Sequence, residues 1–420
     1  MSDKIFLGHE CVYELSPSKT GINANVLVVG SSGSGKTTSL TLPFVINNDE
    51  RSMVIPVSKP GIIKECASAL IDHGYKIEII DFAGNASTVG YNPLTYLKTE
   101  LDYRDFADAI MASENDVQNG QFWRNSAINL LTALLSLLNL NAEYKGDNSI
   151  PTLRDFKTLY RELTISGGIT SYKMVTSLDS YFEAACNEYP DSITALSWTA
   201  FSNNQANVAK DINSTLYASI QKLFVDEVIR LSEDYEPFDF RRLGREKIAL
   251  FVVTSPTTRF IDDYINTMYR FAIAELMDEA QKYPDARLPV PVHMIFDDFA
   301  CGTQIKNFDS YISVFRQAGI SAMLLLQSES QLFATYGESK ATTIIDNCDS
   351  YVYLGGNDVR SAERFAMRLN KPLNKVMELP LGEVVVMRRG SPPVVTTRYL
   401  TYEDPNYIKY AEGGQRDVIR

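Results

Sequence analysis

At 420 residues the chain is too long for one small domain, and its length points to two or three units. With 45% hydrophobic and 22% charged residues it can bury a substantial core in the manner of a soluble globular protein. A net charge of -12 disfavours nucleic-acid binding over the whole surface, while leaving room for a local basic pore or groove.

Residues 1–24 read as a lead-in, with an edge hairpin closing at Thr20-Gly21. The apolar run Asn25-Val26-Leu27-Val28-Val29 then predicts a buried strand. It feeds directly into Gly30-Ser31-Ser32-Gly33-Ser34-Gly35-Lys36-Thr37, which fits G-x-x-x-x-G-K-[ST], and then into Thr38. Glycines let the backbone wrap around phosphates with N–H groups pointing inward at a helix N-terminus. Gly30, Gly33, Ser34, Gly35, Lys36, Thr37 and Thr38 are therefore the expected phosphate binders. Lys36 would reach the β- and γ-phosphates, and the Thr37 hydroxyl would ligate Mg²⁺. A Gly/Ser-rich turn can match this motif by chance, but the strand before it and the helix-forming Thr38–Leu42 run after it supply the required context.

Next come a strand at Met53–Val57, a helix over about residues 59–73 ending at Gly74, and a strand at Lys76–Asp81. This alternation predicts a parallel sheet with helices on its faces, an α/β fold. After Tyr91-Asn92-Pro93-Leu94 the pattern changes. From about 97 to 232 the period is helical, as in Phe106–Met111, Trp123–Leu140, Leu153–Tyr160 and Ile212–Leu231. Loops are expected at Gly146–Pro151 and Gly167-Gly168, with Thr152 as a helix cap. The expected division is a nucleotide-binding domain of residues 1–96 and 233–420 with an all-α domain inserted at 97–232. The alternative is one large α/β fold with long crossover helices.

The sheet pattern returns at Lys247–Val253, followed by a helix from about Asp262 to Lys282. The strand Val292-His293-Met294-Ile295-Phe296 ends in Asp297-Asp298, the two acids that a phosphate loop needs on a neighbouring strand. Asp297 is the expected metal-side acid, and Asp298 would polarise an attacking water. A helix over Phe308–Ala318 carries Arg316, a candidate arginine finger acting in trans or else a solvated helix residue. The strand Ala322–Leu326 ends at Gln327, where an amide could sense a γ-phosphate or orient water. A strand at Tyr351–Leu354, a helix at Val359–Leu369 and a hairpin of Val384–Met387 with Val394–Thr396 follow, and 403–420 read as a polar tail.

Five scattered cysteines without a C-x-x-C suit buried thiols in a reducing cytosol, and His9, His73 and His293 form no metal-binding pattern. The most apolar helix, Trp123–Leu140, is broken by Arg124, Asn125, Asn129, Ser136 and Asn139, which suits a core helix and not a membrane span. No secretory signal opens the chain.

Five blocks in order resemble the type IV coupling proteins of bacterial conjugation, the TraG-like ATPases of type IV secretion systems. Asn23 through Thr37, with Pro43 soon after, is similar to the family's phosphate-loop block. Tyr91–Leu94 looks like its Y-N-P block, and Phe122-Trp123-Arg124-Asn125-Ser126-Ala127 like the F-W block that opens its all-α domain. Phe296-Asp297-Asp298-Phe299 stands where the family has L-D-E-F. Phe315–Ser321, Leu326–Ser328 and Ser330–Leu332 look like its R-x-x-G-I-S and Q-S-x-x-Q-L stretches. The resemblance implies a RecA-like ATPase using ATP and Mg²⁺, a homo-hexameric ring, and a place on the cytoplasmic side of the bacterial inner membrane. The implied partners are single-stranded or relaxase-bound DNA, relaxosome proteins and components of the secretion channel. A nucleotide-regulated docking receptor with little hydrolysis is the alternative.

Three features depart from the family. Asp-Pro-Lys-Gly-Glu is replaced by Val57-Ser58-Lys59-Pro60-Gly61, which keeps only the lysine. Asp298 stands for a glutamate, so the carboxylate sits about 1.5 Å further back, a misplacement that can cost roughly 10²-fold in rate. The family's membrane helices are not seen, so the expectation is a shortened chain or a soluble variant.

Overall fold

The computed structural model describes residues 3–58, 61–84, 86–111, 120–144, 149–166, 175–255, 259–301 and 304–412. The helix expected from residue 59 runs over Gly61–Asp72. Lys59 lies outside the described residues, as do half of the expected Gly146–Pro151 loop, Gly167-Gly168 and the end of the tail. The chain divides into two compact units. One comprises Met1–Thr88, Asp239–Pro256 and Ala272–Arg420; the other comprises Val89–Phe238 and Thr257–Phe271.

The first unit is built on one sheet. Its strands are β1 (Val26–Val29), β2 (Ser52–Val57), β3 (Lys76–Asp81), β4 (Ile248–Val253), β5 (Val292–Phe296), β6 (Ile320–Leu326), β7 (Ser350–Tyr353), β8 (Glu383–Arg388) and β9 (Val394–Thr397). Their order across the sheet is β9-β8-β7-β1-β6-β5-β2-β4-β3. From β7 to β3 all neighbours are parallel, whereas β7–β8 and β8–β9 are antiparallel. β1, β4, β5 and β6 are buried along their whole length. That is why they read as unbroken apolar runs and not as alternating ones: a parallel sheet is covered on both faces.

Register sets up the functional edge. Leu326 pairs with Val29 and Leu324 with Phe296. Gly30, Asp297 and Gln327, each the first residue past its strand, therefore emerge at the same carboxyl edge. β6 lies between the strand that carries the phosphate loop and the strand that carries the acids. Ligands bind at this edge in open α/β sheets.

The lead-in does form a hairpin, Lys4–Gly8 with Cys11–Glu14, but it ends at Glu14; Thr20-Gly21 instead closes a short helix, Pro17–Thr20. The hairpin is fixed to the sheet unit by a buried ion pair in which Arg51 donates from Nε and Nη2 to the Asp3 carboxylate, the latter at 2.8 Å. The polar tail is corrected in part. Pro405–Glu412 is a helix, and Tyr410 joins the apolar core beside Ile63, Cys66 and Leu70. Cys11 and Cys66 are buried, while Cys186, Cys301 and Cys348 are only half-buried.

Among its described residues the second unit is helical apart from a two-residue antiparallel pair, Ile165–Ser166 with Val175–Thr176. Its long helix, Gly120–Tyr144, buries Leu130, Leu131, Leu134, Leu135 and Leu137. Thr99 and Thr152 each close a capping box, with Asp102 and Asp155, and so satisfy backbone donors that a helix start otherwise leaves unpaired. The expected single helix Ile212–Leu231 is two helices, Ala206–Ile220 and Asp226–Glu233. Between them the buried Lys222 ammonium pairs with Asp263 at 2.7 Å, and Val225 is extended at ψ 138°. Burying a lysine demands that partner, and the turn toward it breaks the helical period. Among the described residues no helix is long and apolar enough to cross a membrane.

Candidate functional site

The loop from Gly30 to Thr37 leaves β1 and enters a cleft of about 540 Å³. Gly33 and Gly35 have φ of 76° and 87°, a region that side chains with a Cβ resist. At Gly35 a Cβ would also lie 2.6 Å from the Arg398 guanidinium. Conformation requires glycine there, while the guanidinium is the end of a flexible side chain that can shift. The N–H groups of Gly33, Gly35, Lys36 and Thr37 have no acceptor among the described residues, and the buried Ser34 hydroxyl has no partner. The Lys36 ammonium donates to the Gly30 and Ser31 carbonyls at 2.7 and 3.2 Å and keeps one proton in hand. Unpaired donors converging beside an ammonium form a receptor for a polyanion.

The first turn after the loop is wide. Leu42 N–H reaches back to the Thr37 carbonyl, so Thr37–Thr41 is a π-helical turn before the α-helix Leu42–Asn47. Pro43 accounts for it: proline has no N–H for the carbonyl four residues back and its ring crowds that carbonyl.

The Thr37 hydroxyl faces Asp297, donating to Oδ2 at 3.5 Å. Asp298 N–H donates to Asp297 Oδ1 at 3.1 Å, and Gln327 Nε2 donates to Asp298 Oδ1 at 3.0 Å. Lys36, Thr37, Asp297, Asp298 and Gln327 therefore line a single cleft. Asp298 has φ 48° and Ala300 φ 68°, so the chain turns sharply just after β5. Aspartate tolerates the left-handed region better than most residues.

Asp297 opens to solvent on the cleft side, yet protein surrounds it elsewhere. Burial, reinforced by the Asp298 charge, raises its carboxyl above the usual range, against the pull of Lys36, the Asp298 N–H and the Thr37 hydroxyl. Burial also lowers the Lys36 ammonium, although both aspartates oppose that shift. For a carboxyl raised in the folded state, the protonated form is the favoured one. Its contribution to stability is present at low pH and is lost as pH rises through the folded value. A ¹³C titration of the side-chain carboxyls is expected to give Asp297 a midpoint above that of an unfolded aspartate. In Asp298→Asn the midpoint should fall, because one of the charges that raises it is gone. An unchanged midpoint in that variant would show that the two carboxylates do not interact.

Arg316 is exposed and lies elsewhere. It ends the helix Phe308–Ala318, which enters β6 from the amino edge of the sheet. It lines a shallow cleft with Asp285, Arg287 and Ser313, away from the phosphate loop of its own chain. Three residues at the loop are absent from the sequence reading. Arg398 Nη1 donates to the Ser34 carbonyl at 2.7 Å, the Thr401 hydroxyl donates to the Thr38 carbonyl, and Tyr402 lines the cleft. No local pattern marks them, because they reach the loop through the β8–β9 hairpin.

A family model described as Type IV secretory system Conjugative DNA transfer matches residues 13–372. Among solved structures, the bacterial conjugative coupling protein TrwBdeltaN70, in a trigonal form with sulphate, is 16% identical, with a TM-score of 0.66 over 90% of this chain and 85% of that one. The plasmid coupling protein TrwB in complex with ADP and Mg²⁺ is 16% identical, with a TM-score of 0.63 over 90% and 85%. VirB4 of Thermoanaerobacter pseudethanolicus is 13% identical, with a TM-score of 0.51 over 96% and 98%. These likenesses carry the fold, that of a RecA-like P-loop NTPase. A comparison with curated proteins gives no match.

Proposed function

The chain belongs to the type IV secretory system conjugative DNA transfer family, and we propose that it is a conjugative coupling ATPase, recruiting a DNA–protein substrate to a secretion channel at the expense of ATP. The observation that carries this reading is the single cleft in which the Lys36 loop, the Thr37–Asp297 contact and the Asp298–Gln327 contact meet. The loop residues Gly30, Gly33, Ser34, Gly35, Lys36, Thr37 and Thr38 hold the phosphates, and Thr37 with Asp297 holds Mg²⁺. That ion neutralises phosphate charge when bound. Asp298 orients and polarises water, and Gln327 holds Asp298 while facing the terminal phosphate. Arg316 acts on a neighbour's site in a homo-hexamer, which fits its exposure and its distance from its own loop. Solved structures of the similar TrwB with ADP and Mg²⁺, and with ATP and GTP analogues, support nucleotide use by this fold. The helical unit receives cargo: relaxosome proteins together with single-stranded or relaxase-bound DNA. The ring stands at the cytoplasmic side of the inner membrane.

A second reading is a docking receptor in which nucleotide sets only conformation or assembly. The short Asp298 and the acidic net charge favour it. Steady-state ATP turnover with and without single-stranded DNA separates the two. Turnover that rises with DNA supports the motor. Nucleotide binding with no turnover under either condition would remove the motor and leave the receptor.

A further inference from the structure

We propose that the segment Arg398–Tyr402 forms the base-binding side of the nucleotide cleft, with the Tyr402 ring as the platform on which the nucleobase stacks. The inference rests on nucleotide binding at the Lys36 loop and adds the part of the ligand that the loop cannot recognise.

The acids and Gln327 meet the loop through Thr37, at the terminal-phosphate end. The segment after β9 meets it at other residues. Arg398 grips the Ser34 carbonyl and packs against Gly35, and buried Thr401 bonds to the Thr38 carbonyl. A nucleotide whose terminal phosphate faces the acids must send its ribose and base past this second border.

Tyr402 is 64% exposed, an unusual state for a tyrosine between two anchored neighbours. On one side Thr401 is fixed to Thr38. On the other, Asp404 accepts from Asn47 Nδ2 at 2.9 Å and from the Asn406 and Tyr407 N–H groups, which ties the segment to the end of the helix after the loop. The Tyr407 ring stands nearly perpendicular to that of Tyr402, with centroids 5.4 Å apart at 86°. Leu42, Val45 and Ile62 line the same cleft. An aromatic ring held on a fixed backbone, in a cleft that aliphatic side chains also line, suits a flat apolar base and loses little conformational freedom on binding. Stacking tolerates any base, so this wall recognises nucleotide over bare phosphate without choosing between adenine and guanine.

Equilibrium binding of ATP and of inorganic tripolyphosphate to the unaltered chain, Tyr402→Ala and Tyr402→Trp tests this. Tyr402→Ala is expected to weaken ATP about tenfold and to leave tripolyphosphate unchanged, while Tyr402→Trp keeps ATP affinity. ATP affinity unchanged in Tyr402→Ala, or an equal loss for both ligands, overturns the inference and leaves phosphate binding at Lys36 standing. If the unaltered chain binds neither ligand, the nucleotide reading falls and this inference falls with it.

Discussion

In Lys36→Ala, ATP turnover is expected to fall by at least about 10²–10³-fold, the usual loss for one preorganised donor to a transition-state charge, with nucleotide affinity falling as well. The reason lies in how the side chain is held. Lys36 is 8% exposed, and two carbonyls of its own loop fix the ammonium at the centre of the cradle. It lies in the same loop as the N–H groups of Gly33, Gly35 and Thr37 that phosphate oxygens would meet. Alanine removes that charge and also deprives the buried Gly30 carbonyl of its donor, while the Ser31 carbonyl keeps the Ser34 N–H. An unmatched acceptor of this kind costs about 1–3 kcal/mol when buried, so a modest drop in melting temperature should accompany the loss of activity. Phosphate-release assays and a thermal melt on the same sample separate the two effects. Turnover that survives in a folded Lys36→Ala chain would place hydrolysis outside this cleft.

Those parts of the molecule that depend on short runs of sequence could be read directly. β1, β4 and β6 are continuous apolar segments because both faces of the sheet are covered, and they end at a loop, at Thr254 and at Gln327. Gly319, at φ 80°, closes the helix Phe308–Ala318 where the sequence placed its end. Thr152 caps its helix through Asp155, three residues on, a spacing visible by eye. Contacts made across long stretches of chain were not legible. Arg398 reaches Ser34 across 364 positions, and Thr401 reaches Thr38 across 363. No periodicity links such pairs; only the closure of β8 and β9 on the sheet edge brings them together. The break at Lys222 was hidden for the same reason, since its cause is Asp263, 41 residues away. The C-terminal helix was hidden by its polar composition, because tyrosines carry its apolar contacts.

An effect of comparable size is expected at Asp298. Asp298→Asn keeps the shape of the side chain and its contact with Gln327 while removing the charge that polarises water. A general base contributes about 10²–10⁴-fold, so turnover should fall by that factor with nucleotide binding retained. Asp298→Glu should act in the opposite direction. The carboxylate of Asp298 is drawn toward Gln327 at 3.0 Å, and its backbone sits at φ 48°. One more methylene carries the carboxylate forward by about 1.5 Å, and recovering a misplacement of that order can return up to about 10²-fold. The gain has an opposing term. Glutamate lacks aspartate's tolerance of the left-handed region, and holding it there costs about 1 kcal/mol. The Asp298→Glu chain is therefore expected to be faster and less stable, and turnover must be compared well below its melting temperature. Single-turnover measurements make the comparison clean, because they isolate chemistry from product release. An Asp298→Glu chain that is destabilised without being faster, together with an Asp298→Asn chain that loses nothing, would remove Asp298 from the chemistry. The short acid would then stand as a backbone feature of the turn after β5, and the receptor reading would become the better account of the cleft.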